Sequence, residues 1–197
     1  MKALFIGLGS IGQRHLRNLR EVVGDSIEVI AYRAKRHVPV LNDKFQVDES
    51  ANLVEKYNIR EFDDLDEALN ERPEIAFITN PTSHHIDVAL KAAKAGCHLF
   101  IEKPIDSCID RVEELVELVT IKGLVTTIGY QLRFHPGLNQ VYRWLQDKRI
   151  GNLLSASIRQ GEYLPGFHPY EDYRSSYASR KELGGGVILT QIHEFDY

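Results

Sequence analysis

The sequence predicts an α/β fold built on a doubly wound parallel sheet, and three observations carry that expectation. The chain opens as strand, tight glycine turn and helix. Apolar runs of strand length then alternate with helical stripes as far as residue 130, and Gly, Pro or Asn punctuates the junctions.

The first strand is the apolar run at 3–6. Ile11, His15, Leu19 and Val22 or Val23 then recur at helical spacing until Gly24 offers a C-cap. The turn between them reads Gly7-Leu8-Gly9-Ser10-Ile11-Gly12. In a G-x-G-x-x-G of this kind the first glycine permits the sharp turn, the second lets backbone approach a pyrophosphate, and the third lets helix pack against strand. Unpaired N–H groups at the helix start suit an anionic diphosphate. Dinucleotide binding is therefore expected over a merely structural glycine turn.

A second strand follows at 27–32, and the position where an acid would hold the adenosine ribose of NAD is Arg33. With Lys35 and Arg36 beside it, this position suits a ribose 2′-phosphate and tilts the cofactor, NAD(P), toward NADP. A solvated basic loop is the alternative. Between 36 and 61 the pattern is irregular, with only Leu53, Val54 and Tyr57 suggesting one face of a short helix.

Regularity returns with a strand at 75–79, a helix at 83–95 stopped by Gly96, and a strand at 98–101 ending in Glu102-Lys103-Pro104. Ser107-x-x-Asp110 is expected to open a helix with Ile109, Val112, Leu115 or Val116 and Val119 on its stripe, before a strand at 125–130. Ligands on such sheets bind at the carboxyl ends of strands, so Asn80-Pro81-Thr82 and Glu102-Lys103-Pro104 share an edge with the glycine turn. There Lys103 is either an exposed lysine at a strand end or one whose partial desolvation could lower its pKa and whose charge could polarise a substrate oxygen.

Composition narrows the functional classes. The chain has 197 residues, 43% hydrophobic and 26% charged, with net charge −4. That balance offers no basic face for nucleic acid. The longest charge-free stretch is about a dozen residues, short of the ~20 that span a membrane. Two cysteines, Cys97 and Cys108, outside any CxxC pair fit a reducing, cytoplasmic setting. His84-His85 and Cys97-His98 are adjacent and diverge, so no metal site is expected. Tyr163 and His168 belong to an aromatic, charged loop that would serve as a sugar-binding wall or a packed surface loop. Arg133 suits an acidic substrate group or a structural ion pair.

Five ordered motifs, GLGSIGQRH at 7–15, ITNPTSHH at 78–85, EKP at 102–104, GYQLRFHP at 129–136 and LGGGVILTQIHEFDY at 183–197, together resemble the Gfo/Idh/MocA family of NAD(P)-dependent oxidoreductases. The resemblance covers essentially the whole chain. It implies a Rossmann domain, assigned to 1–123, followed at 124–197 by the start of an open-sheet α/β domain. It also implies hydride transfer between nicotinamide and a hydroxyl or keto carbon of a sugar, sugar nucleotide or cyclitol.

By the same resemblance Gly7, Gly9, Ser10, Ile11 and Gly12 form the phosphate loop, Arg33 meets the adenosine ribose, and Asn80, Pro81 and His85 lie near the cofactor. Glu102 and Lys103 lie there too, with a cis peptide before Pro104, and Lys103 and His193 are the catalytic pair. Many members carry an Asp four residues before the histidine, where this chain has Leu189. Asp196, Thr190 or substrate would then orient His193, and Asp196 is grouped with Arg133, Tyr163 and His168 on the substrate side. The family's chains run longer. This chain ends inside what reads as a helix begun near Gly186, so a fragment is expected, with one helix around 138–145 and a strand at 153–159 in its second domain. Apolar faces meant for the rest of that sheet would be exposed in such a fragment, inviting dimerisation or poor solubility, and a homo-oligomer is expected of the full-length protein. A non-catalytic nucleotide-binding regulator is the alternative function.

Overall fold

The computed structural model describes residues 1–24, 26–34 and 38–196. Six parallel strands form one sheet: β1 (Lys2–Ile6), β2 (Glu28–Tyr32), β3 (Ile59–Phe62), β4 (Ile75–Ile78), β5 (His98–Ile101) and β6 (Thr126–Ile128). Their order is β3-β2-β1-β4-β5-β6, the Rossmann arrangement, whose direction reverses between β1 and β4. That reversal opens a crevice above the carboxyl ends of these two strands.

The strands read as apolar runs because both faces are covered. Successive side chains point to opposite faces. Ala3, Phe5, Val29, Ala31 and Phe77 pack with Leu16 of α1 (Ser10–Val23) and Leu53 of α2 (Leu53–Tyr57). Leu4, Ile6, Ile30, Ala76, Ile78, Leu99 and Ile101 pack on the other side against α3 (Leu65–Asn70), α4 (His85–Lys94) and α5 (Val112–Lys122). Burial of each large side chain contributes about 1.5–3 kcal/mol.

Beyond the sheet the chain forms α6 (Pro136–Gln146), α7 (Leu164–Phe167) and α8 (Val187–Thr190), joined by short 3-10 turns. Among the described residues, no helix is long and apolar enough to cross a membrane.

The structure differs from the spacing in four places. The strand expected at 153–159 does not form, because no neighbouring strand among the described residues accepts its ladder bonds; Leu154 is 95% exposed. The helix expected from Gly186 is only α8, followed by a 3-10 turn at Ile192–Phe195. Ser107 does not cap α5, which starts five residues later behind a left-handed Arg111, and Ile109 is exposed. Asp106 instead accepts from the N–H groups of Ser107 and Cys108 and, at 3.0 Å, from Ile86 near the start of α4. Finally, β6 lies past residue 123, so the sheet extends beyond the boundary drawn there.

Two glycines in the first turn face opposite constraints. A Cβ on Gly12 would stand 2.6 Å from the Gly7 carbonyl oxygen and 2.8 Å from Thr79 Oγ1, whereas one on Gly9 would meet nothing within 4 Å. Gly12→Ala is therefore expected to cost about 1–3 kcal/mol in denaturant unfolding, with Gly9→Ala close to wild type. Equal stability of the two variants would contradict this packing.

Candidate active site

The glycine turn places the start of α1 directly over the reversal point of the sheet. Gly7 has φ +96°, and its missing Cβ is what admits the Asn80 backbone, whose nitrogen would lie 2.9 Å from such an atom. Thr79 Oγ1 donates to the Gly7 carbonyl at 2.6 Å, tying the end of β4 to the turn. Among the described residues no side chain caps α1. The open space at Gly9, beside the uncapped N-terminus at Ser10 and Ile11, fits the diphosphate of a dinucleotide. Asn80 Oδ1 is buried with no partner among the described residues, so it stands ready to accept a bond from a ligand in the same crevice.

At the end of β5 the side chain of Glu102 is 10% exposed. His15 Nε2 meets its Oε1 at 2.6 Å, and the Lys103 N–H donates to Oε2 at 3.1 Å. The His15 ring packs on Phe100 with centroids 4.6 Å apart. The helical stripe in the sequence put His15 inward, but nothing in the linear order names a partner 87 residues away. His85 is 1% exposed and works from behind: its ring nitrogens lie 2.8 Å from the Pro104 carbonyl and 2.9 Å from the Asn80 carbonyl. It thus joins the loop of Asn80 and Pro81 to the cis Lys103-Pro104 turn. Burial pushes its pKa down, while the two carbonyls and the charges of Glu102 and Asp106 pull it back up.

Lys103 and His193 converge at this edge. Lys103 Nζ donates to the Thr190 carbonyl at 2.8 Å. Burial lowers its pKa, against the raising influence of Glu102 and Glu194. His193 is also pulled below its usual 6.5, first by burial and then by the Lys103 charge. The amide of Gln131 lies 3.2 Å from His193 Nε2; an amide N–H donates, so Nε2 accepts. His193 Nδ1 is buried without a partner among the described residues.

The segment bearing His193 is seated by glycines that the sequence reading did not single out. A Cβ on Gly184 would meet Thr82 Cβ at 2.7 Å, and one on Gly185 would meet the Tyr177 carbonyl at 2.1 Å. Tyr177 itself is pushed up to about 12, chiefly by burial.

Asp196 is not the residue that orients His193. It pairs with Arg133 through bonds of 2.6–3.0 Å, so these two substrate-side candidates satisfy one another. His168 bonds Glu171 at 2.7 Å and lines a cavity with Arg14, Phe45 and Tyr170; Tyr163 is 78% exposed. Arg33 follows β2 as expected, but it is buried and ion-paired with Glu61 at the end of β3. Lys35 and Arg36 lie outside the described residues.

A family model described as an oxidoreductase family with an NAD-binding Rossmann fold matches residues 1–130, and the chain belongs to that family, Gfo/Idh/MocA. It is 28% identical over 196 residues to the oxidoreductase YrbE of Bacillus subtilis, covering 97% of this chain and 50% of that one. To the scyllo-inositol 2-dehydrogenase (NAD(+)) of the same organism it is 25% identical over 205 residues, covering 100% of this chain and 52% of the relative. Among solved structures, the UDP-N-acetylglucosamine 3-dehydrogenase GnnA of Acidithiobacillus ferrooxidans superposes with TM-score 0.56 at 26% identity, over 73% of this chain and 42% of that one. The chain spans about half the length of the curated relatives it matches.

The pairing at Glu102 can be tested directly. Removing the imidazole in His15→Ala strands a nearly buried carboxylate oxygen, and a loss of about 1–3 kcal/mol is expected in urea unfolding. His15→Gln, which keeps a donor, should recover part of it. Unfolding midpoints that coincide in all three proteins would contradict the assigned partnership.

Proposed function

We propose that the protein is an NAD(P)-dependent oxidoreductase that moves a hydride between nicotinamide and a hydroxyl or keto carbon of a sugar, sugar nucleotide or cyclitol. The observation that carries this reading is the convergence of Lys103 and His193 at the edge that also holds the open glycine turn. The relatives named above, an inositol dehydrogenase and a sugar-nucleotide dehydrogenase, support the substrate class.

In this reading Gly7, Gly9, Ser10, Ile11 and Gly12 cradle the diphosphate, and Asn80, Pro81, His85 and Glu102 shape the wall beside the ring. The bound nicotinamide supplies the hydride chemistry and the chain supplies alignment. Lys103 directs its ammonium at the substrate oxygen and stabilises charge that develops there. His193 Nε2 takes the hydroxyl proton during oxidation and returns it during reduction; the substrate oxygen displaces the exposed Gln131 amide to reach it. Arg133, held by Asp196, turns its exposed face to the substrate, and Tyr163 and His168 belong to the loop that walls it. Arg33 favours NADP only if a 2′-phosphate competes successfully with Glu61. The His193-bearing segment after the sheet is the start of a substrate and oligomerisation domain of a cytoplasmic homo-oligomer. A non-catalytic nucleotide sensor is the second reading, favoured by Leu189 where an acid commonly precedes the histidine; Lys103 and His193 together weigh against it.

Turnover of a panel of sugars, sugar nucleotides and cyclitols by the full-length protein tests the reading. Lys103→Ala and His193→Ala should each lower kcat by roughly 10²–10⁴-fold while NADH affinity stays within a few-fold. A variant that reacts at the wild-type rate removes its residue from the mechanism.

The pH profile gives a second check. Oxidation needs neutral His193, so its rate falls as the ring protonates. A ring held below 6.5 puts that acid limb below pH 6.5, and the reductive rate should instead be lost as pH rises through the same value. An oxidative limb centred above 6.5 would contradict the assignment.

A further inference from the structure

The position after β2 that meets the adenosine ribose normally carries an acid, and here it carries Arg33, paired with an acid of the neighbouring strand. Arg33 sits level with the glycine turn: the Gly7 N–H donates to the Tyr32 carbonyl at 3.2 Å, and the Arg33 N–H donates to the Phe62 carbonyl at 3.3 Å. Parallel pairing of β2 with β3 sets Ala31 beside Glu61, which puts Glu61 on the same face of the sheet as Arg33. The two side chains form an ion pair and are 5% and 21% exposed. Both line an open cavity of about 380 Å³. Among the described residues lining that cavity, Asp48, Glu49 and Glu61 are acidic and Arg33 alone is basic. Asp48 has its own cation in Lys56, 3.1 Å away.

On the reading of the site given above, we propose that Glu61 sets the ribose selection of the nucleotide site, opposing a 2′-phosphate and accepting a 2′-hydroxyl. The charge of Arg33 is already balanced. A 2′-phosphate arriving there gains little from the guanidinium and meets a carboxylate at close range, whereas a hydroxyl finds an acceptor whose direction the guanidinium fixes. The identity of the residue at 33 therefore misleads when taken alone. The pair reads as a carboxylate held in place by an arginine, in the position where other dinucleotide sites place a carboxylate directly.

The test is equilibrium binding of NADH and NADPH to the full chain and to Glu61→Gln, with thermal unfolding to confirm that the variant folds. Wild type should bind NADH at least as tightly as NADPH. Glu61→Gln should shift the ratio of dissociation constants toward NADPH by about tenfold, the scale of one relieved like-charge contact. A ratio that stays within twofold of wild type, or moves toward NADH, overturns the proposal.

The ribose end can also be probed on wild type alone with AMP and adenosine 2′,5′-bisphosphate, which needs no variant to fold. The added 2′-phosphate should bring no gain in affinity, and a gain of tenfold or more overturns the proposal. Failure of the wild-type chain to bind either dinucleotide would overturn the nucleotide reading of the site and this inference with it. Binding with unaltered selection overturns the inference alone.

Discussion

One buried carboxylate ties the carboxyl edge of the sheet together. Glu102 ends β5, and its two oxygens are divided between the His15 ring on α1 and the Lys103 N–H of its own turn. Its bulk explains Gly129 just after β6, where a Cβ would come within 3.0 Å of Oε1. Its charge also reaches Lys103, His85, His193 and Tyr177, raising the pKa of each against or along with the influence of burial. A nearly buried anion is tolerated only where partners are fixed around it. The helix that starts at the glycine turn and the strand that ends at Lys103 are thus tied together by a single charge.

Much of this framework was legible along the chain. Five of the six strands could be read as apolar runs closed by glycine, proline or polar residues, because a sheet covered on both faces leaves little else in its strands. The glycines at 7 and 12 each had a distinct physical job, and the left-handed turn at the first and the close contacts at the second match those jobs. The region from 36 to 61 was legible only in the face of Leu53, Val54 and Tyr57, which lies in α2. β3 is four residues long and carries Arg60 and Glu61, so it lacks an apolar signature. Spacing also misplaced the start of α5, since Ser107 and Asp110 form a plausible capping pattern while Asp106 takes the N–H groups instead.

The sequence offered candidate residues for a site and left their partnerships out. Lys103 and His193 do converge, but the groups that hold them, the Thr190 carbonyl and the Gln131 amide, come from the backbone and from a motif read only for its arginine. Arg133 suited a substrate group or a structural ion pair, and the fold makes the ion pair, with Asp196 as the partner. The same holds for Arg33, whose meaning depends on Glu61 in a strand that sequence patterning missed. Long-range pairing of charges is set by sheet order, and sheet order leaves no local trace in the chain.

The central claim is that a dinucleotide lies across the first β-to-α turn with its nicotinamide facing Lys103 and His193. A crystal structure of the full-length protein with bound NAD(P)H tests it most directly. The account predicts the diphosphate over Gly9 and the reactive carbon C4 of the ring within roughly 4 Å of a substrate-sized space bounded by Lys103 Nζ and His193 Nε2. A ring directed away from both side chains, or a diphosphate seated anywhere but this turn, would contradict it.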